Sequence, residues 1–146
     1  MNIKHTSAVI TGGASGLGEA TARVFAEAGA QVTLFDRDTT RGPQVAAEIG
    51  GHFIEVDVTD EASVKAAMDN ARVKMGQINA AVNCAGIAIA ETTLKKDDGL
   101  HSLNSYKKVV EVNLTGTFNM ARLAADAMKD NAPAEDGQRG VIINTA

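Results

Sequence analysis

The chain has 146 residues, of which 45% are hydrophobic and 22% charged, with a net charge of −4; that is enough for one domain with its own core, and it offers no basic stripe for nucleic acid. Aromatic residues make up only 3% and Trp is absent, so the core must come from Ala, Val, Ile and Leu, which suits a parallel sheet covered on both faces. The one cysteine, Cys84, excludes an internal disulfide and fits a reducing compartment, and no apolar run approaches the ~18 residues of a membrane span.

Residues 7–12, SAVITG, form the first strand-like run. It stands so near the start that no signal or transit peptide is expected, and a cytoplasmic location is. Residues 16–29 carry apolar side chains at Leu17, Ala20, Ala22, Val24, Phe25 and Ala28, a helical spacing closed by Gly29. A second strand is expected over 31–36. A short helix follows over 41–50, with Pro43 in its first turn and Gly50 at its end. Residues 52–58 read as a third strand. Residues 59–76 read as a helix capped near Thr59 or Asp60, with acidic residues in its first turn. A fourth strand is expected over 78–86, a polar stretch over 91–104, one long helix over 105–130, a loop over 131–140 and a fifth strand over 141–145.

This alternation predicts an α/β fold, a doubly wound parallel sheet of Rossmann type with helices on both faces and strand order 3-2-1-4-5. No internal repeat or low-complexity segment interrupts it.

The first strand runs into TGGASGLG, with Gly12, Gly16 and Gly18 ahead of a helix. A helix N-terminus there presents unpaired N–H groups and a partial positive charge, and glycine lets a pyrophosphate approach or the turn take positive φ. The spacing is wider than Gly-x-Gly-x-x-Gly, and such a turn also has a plainer reading as a tight connection. Asp36 closes the second strand, close to the ~20 residues beyond the loop expected of a ribose-binding carboxylate. It would accept from both ribose hydroxyls and repel a 2′-phosphate, which favours NAD over NADP; Arg37 beside it works the other way. The plainer alternative is a solvated residue at a strand end.

These features resemble the short-chain dehydrogenase/reductase family. TGGASGLG is similar to its cofactor loop, DVTD (57–60) to its adenine-contacting turn, NCAG (83–86) to its Asn-Asn-Ala-Gly element, and VNLTGTF (112–118) to the segment holding its structural and catalytic asparagine. The resemblance implies that Ser15 and Leu17, with Gly12, Gly16 and Gly18, hold the diphosphate. It places Asp36 on the adenine ribose and Asp57 and Val58 on the adenine. Asn83, Cys84, Ala85 and Gly86 would line the riboses. It gives Asn113 a catalytic part: this asparagine points inward, disturbs its helix and holds a water linked to the catalytic lysine. From the residues alone Asn113 reads as solvent-facing, and Cys84 as a small buried hydrophobe. His5, His52 and His101 are scattered, and no metal site is expected.

Within the family, AVNCAGIA (81–88), the LKKDDGLHSL insert and GQRGVIINTA (137–146) are most similar to the type-2 3-hydroxyacyl-CoA dehydrogenases. That implies reversible oxidation of a 3-hydroxyacyl-CoA, an acyl-CoA substrate, and a homo-oligomer, a tetramer. The runner-up substrate is a 3-oxoacyl group on acyl-carrier protein or another secondary alcohol. The charges Lys95, Lys96, Asp97 and Asp98 read as a solvated loop, with contact to a coenzyme A tail as the alternative.

The family's chemistry uses a serine and a Tyr-x-x-x-Lys. The single tyrosine, Tyr106, has Val110 where the lysine would stand, and the serine would come directly after NTA (144–146). Residues 1–146 are therefore expected to be the N-terminal dinucleotide-binding part of one dehydrogenase domain. The C-terminal remainder of the fold would cover strand five, an apolar edge. A stand-alone NAD-binding module without catalysis is the reading of another class.

Overall fold

The computed structural model describes residues 2–94, 96 and 99–145. Five parallel strands form its sheet: β1 (Ser7–Thr11), β2 (Gln31–Asp36), β3 (His52–Glu55), β4 (Ala80–Asn83) and β5 (Val141–Asn144), ordered β3-β2-β1-β4-β5 as expected. The helices are α1 (Gly16–Glu27), α2 (Arg41–Glu48), α3 (Glu61–Met75), α4 (Leu103–Val110) and α5 (Thr117–Met128), with a π-helical turn, Glu111–Gly116, joining α4 to α5.

Side chains alternate across a strand, so β1 feeds two cores. Ala8 and Ile10 pack with Val32, Leu34, Val45 and Val82 on the α1–α2 face. Val9 packs with Phe35, Val64, Met68, Ile78 and Met120 on the α3–α5 face. Full burial of each large apolar side chain contributes roughly 1.5–3 kcal/mol, and on β1 and β4 both faces of the strand are buried.

Local signals set most boundaries. Asp60 caps α3, its Oδ1 accepting from Ala62 N at 2.9 Å, and Gly76 ends it at φ +80°. Ser102 caps α4, its Oγ accepting from Ser105 N at 3.3 Å, so the helix opens two residues earlier than expected. Glu19, Arg23, Arg41 and Glu48 form an ion-pair group that ties α2 to the first turns of α1, with Arg41 2.6 Å from Glu19 and Arg23 2.5 Å from Glu48.

Three further differences from expectation bear on the site. Strand three ends at Glu55, not 58: Val56 N still donates to Asp36 O at 3.0 Å, and then Asp57 Oδ1 turns the chain by accepting from Thr59 N and Oγ1. Strand four ends at Asn83, not 86, because Cys84 N and Ala85 N both donate to Thr11 Oγ1, at 3.1 and 3.0 Å. The long helix over 105–130 is α4, the π turn and α5 in succession. In the polar stretch, Leu94 bridges Leu100 and Ser102 N donates to Glu91 Oε2; Lys95, Asp97 and Asp98 lie outside the described residues, as does Ala146.

Candidate functional site

A cleft of about 650 Å³ opens at the C-terminal ends of β1, β2 and β4. Connections leave β1 and β4 toward opposite faces here, and open α/β sheets bind ligands at such a switch point. Its lining includes Gly12, Ser15, Gly16, Leu17, Asp36, Asp57, Val58, Cys84, Ala85 and Gly86, ten of the residues singled out from the sequence.

The glycine turn forms one wall. Gly12 has φ +66°, and a Cβ on it would stand 2.9 Å from Ala85 N. Gly16 has φ +54°, and a Cβ there would meet nothing within 4 Å, so the backbone of the α1 N-terminus faces open space. Ser15 is the N-cap, but its side chain makes no capping bond. The first amides of α1 can therefore take anionic oxygens.

Asp36 stands at the next corner. Its Oδ2 accepts from Ala14 N at 2.9 Å and its Oδ1 from Asp38 N at 3.0 Å. The carboxylate thus ties the glycine turn to the loop after β2, and each oxygen keeps a lone pair for a further donor. Asp57 lies beyond it, with Oδ2 3.6 Å from Arg37 NH1. The hydroxyl and then the amide of Thr59 hold the Asp57 carboxyl below its ordinary range against the opposing effect of burial, with a lesser contribution from the Arg37 charge.

The far wall is the exit of β4. Burial pushes the Cys84 thiol up, against hydrogen bonds with Thr145 and Thr21, so the thiol stays protonated and unreactive. Ile87 N donates to Asn113 Oδ1 and Asn113 Nδ2 donates to Ile87 O, both at 2.9 Å. The helix breaks at Asn113, inside the π turn, whose wide hydrogen bonding leaves Asn113 O to accept from Thr117 Oγ1 at 2.7 Å. Contrary to expectation, Asn113 itself is exposed, since its bonds run along the cleft rim and not into the core.

Two further expected residues stand away from the cleft lining. A Cβ on Gly18 would fall 2.1 Å from Gly12 O, so this glycine serves the packing of α1 on the turn. Asn83 is buried beneath the cleft floor, its Nδ2 donating to Asn144 Oδ1 at 2.8 Å across the β4–β5 pair, while its Oδ1 has no partner. Sequence reasoning missed Ile87, Ile89, Lys108 and Val112, all lining the cleft. Lys108 and Val112 stand four apart, a same-face helical spacing that could have paired them. Among the described residues no group of three or more His, Cys, Asp or Glu could hold a metal ion, and no helix is long and apolar enough to cross a membrane.

The model of the short chain dehydrogenase family matches residues 6–146. The chain belongs to this family. It is 46% identical over 147 residues to the 3-hydroxyacyl-CoA dehydrogenase type-2 of Drosophila melanogaster, covering 99% of this chain and 58% of that one. It is 47% identical over 148 residues to the human protein of the same name, covering 99% and 57%. A crystal structure of 3-hydroxyacyl-CoA dehydrogenase type-2 from Mycobacterium avium superposes with a TM-score of 0.90 at 34% identity, over 98% of this chain and 58% of that one. The chain thus spans 57–58% of the length of these relatives.

Membership of the short-chain dehydrogenase family implies a nicotinamide cofactor, and the cleft fits one. It offers an open helix N-terminus for a diphosphate, a carboxylate with spare acceptor capacity for ribose hydroxyls, and apolar lining from Val58 and Ile89.

Proposed function

We propose that residues 1–146 are the dinucleotide-binding part of a single short-chain dehydrogenase domain, and that the whole protein is an NAD-dependent 3-hydroxyacyl-CoA dehydrogenase. One observation carries the cofactor reading: the Asp36 carboxylate and the open N-terminus of α1 line one cleft and are tied together through Ala14 N. A fixed carboxylate there accepts from two ribose hydroxyls and repels a 2′-phosphate, which supports NAD over NADP.

The assigned roles follow from position. The Ser15, Gly16 and Leu17 backbone takes the diphosphate, while Gly12 and Gly18 let the turn close. Asp57 and Val58 hold the adenine. Cys84, Ala85 and Gly86 line the riboses, with Asn83 bracing them from below. Asn113 positions the nicotinamide end through its pair of bonds to Ile87. When bound, NAD supplies a hydride acceptor for C3 of the 3-hydroxyacyl chain.

The acyl-CoA substrate rests on the printed names of the relatives and on their 46–47% identity to this chain. The exposed Leu103, Tyr106, Leu114 and Phe118 on α4, the π turn and α5 support a homo-oligomer, which we take to be a tetramer on the family resemblance alone. A single free cysteine supports a cytoplasmic location.

The test is a rate comparison on the whole protein. Oxidation of 3-hydroxybutyryl-CoA with NAD should exceed both the rate with NADP and the rate with the acyl-carrier-protein thioester. Preference for the carrier protein would move the protein to the reductase reading, and saturable NAD binding without turnover would leave only the binding module.

A further inference from the structure

Val58 lines the cleft, and its carbonyl is held by a side chain that is not among the cleft-lining residues. Asn119, in the first turn of α5, donates Nδ2–H to Val58 O at 2.9 Å across 61 residues of sequence. Asn119 is only 6% exposed. Its Oδ1 accepts from Arg122 NH2 at 2.8 Å, and Arg122 reaches Glu61 at the start of α3 at 3.0 Å. One turn earlier, Gly116 lies flat against Val58; a Cβ there would stand 2.6 Å from Val58 Cγ2.

A buried amide in a helix costs stability unless both its ends are bonded. Here one end is bonded within its own helix and the other to a main-chain carbonyl of the cleft wall. The Asp57–Thr59 bonds, the bond from Asp57 N to Ser63 Oγ at 3.1 Å and that from Asp60 N to Asp57 O at 3.1 Å shape this turn from within, and Asn119 supplies the hydrogen bond that ties the Val58 peptide itself to α5.

We propose that Asn119 is a positioning residue for the adenine half of the cofactor: its bond to Val58 O fixes the Val58 peptide so that the slot above Asp57 and Val58 keeps its width. This rests on the dinucleotide reading of the cleft. The π turn and α5, which follow one another directly, hold both walls, Ile87 through Asn113 and Val58 through Asn119.

The test separates the two halves of the cofactor, using AMP and nicotinamide mononucleotide as probes on the whole protein. Asn119→Asp keeps the size and the Arg122 partner but offers no donor to Val58 O. It should weaken AMP and NAD by about tenfold, the scale of one lost hydrogen bond with an acceptor left unpaired, and shift nicotinamide mononucleotide by less than about twofold. Arg122→Ala leaves the donor in place and should move AMP less than Asn119→Asp does. If Asn119→Asp fails to fold, Asn119→Ser is read by the same ratio of AMP to mononucleotide affinity. An unchanged AMP affinity, or equal weakening of both probes, would overturn the proposal. An unmodified protein that binds no NAD would instead overturn the dinucleotide reading beneath it.

Discussion

Asn113 and Ile87 are joined by a reciprocal pair of hydrogen bonds, amide to carbonyl and amide to amide oxygen, both 2.9 Å long. The pair clamps the exit of β4 to the π turn and copies the pairing of two backbone strands. Asn113 makes it at an exposed position, which a helix interior would not reward. The bonds explain why Asn stands there without any appeal to burial.

Replacing Asn113 with Ala should remove both bonds and expose the Ile87 amide. At about 0.5–1.5 kcal/mol per bond, the loss of stability should be about 1–3 kcal/mol. Hydrogen exchange at Ile87 N–H, measured with urea unfolding, checks this. An Ile87 amide that exchanges as slowly as before would show that the clamp holds nothing.

Asp36→Ala should act twice. It removes the acceptor of Ala14 N and Asp38 N as well as the charge facing the ribose. NAD affinity should fall by tenfold or more, since bonds to a charged group contribute roughly 1.5–3 kcal/mol. NADP affinity should fall less, so the preference narrows. Cofactor titrations give both numbers, and an unchanged NAD-to-NADP ratio would remove Asp36 from the specificity account.

The glycines divide by role. Gly18→Ala puts a methyl 2.1 Å from Gly12 O, a backbone atom that cannot step aside cheaply. It should cost at least about 1–3 kcal/mol of stability. Gly16→Ala meets no atom and carries only the penalty of φ +54°, about 1–2 kcal/mol, but places its methyl over the phosphate site. Urea midpoints and NAD titrations should therefore rank the two variants in opposite order, Gly18→Ala worse for folding and Gly16→Ala worse for binding. The same order in both assays would contradict the division.

Much of this was legible locally. A glycine turn between a strand and a helix, and an acid at the end of the next strand, are short-range patterns, and alternation of elements dictates the strand order. What was not legible depends on partners far away. Thr11 gave no signal, because only pairing with β4 brings its hydroxyl to the Cys84 and Ala85 amides and ends that strand early. Asn119 reads as an ordinary helix residue until Val58 O is seen beside it. Asn83, next to Cys84 in sequence, was placed with the cofactor residues; the strand pleat turns it under the floor toward Asn144. The π turn has no sequence period to betray it; only the resemblance, which made Asn113 disturb its helix, pointed to a break there.

Protonation at the site has a definite sign. The Asp57 pKa is lowered in the folded state, first by the Thr59 hydroxyl, so its stabilising contribution is present above the unfolded value of about 3.9 and is lost as pH falls through the folded value. Between pH 5 and 8 that contribution is constant. The Cys84 thiol is raised by burial and remains neutral until pH exceeds the usual value of about 8.5. Iodoacetamide should accordingly label Cys84 slowly at pH 7.5, faster only at higher pH, and more slowly still with NAD bound over it. Rapid labelling at pH 7 would contradict the assignment of a neutral, lining thiol.

The most direct measurement of the central claim is a crystal structure of the whole protein with NAD. Adenine should lie against Asp57 and Val58, with the adenosine ribose on Asp36. The diphosphate should sit over the Ser15–Leu17 amides and the nicotinamide beside Gly86 and Ile87. A dinucleotide bound elsewhere, or a ribose that makes no contact with Asp36, would contradict the account.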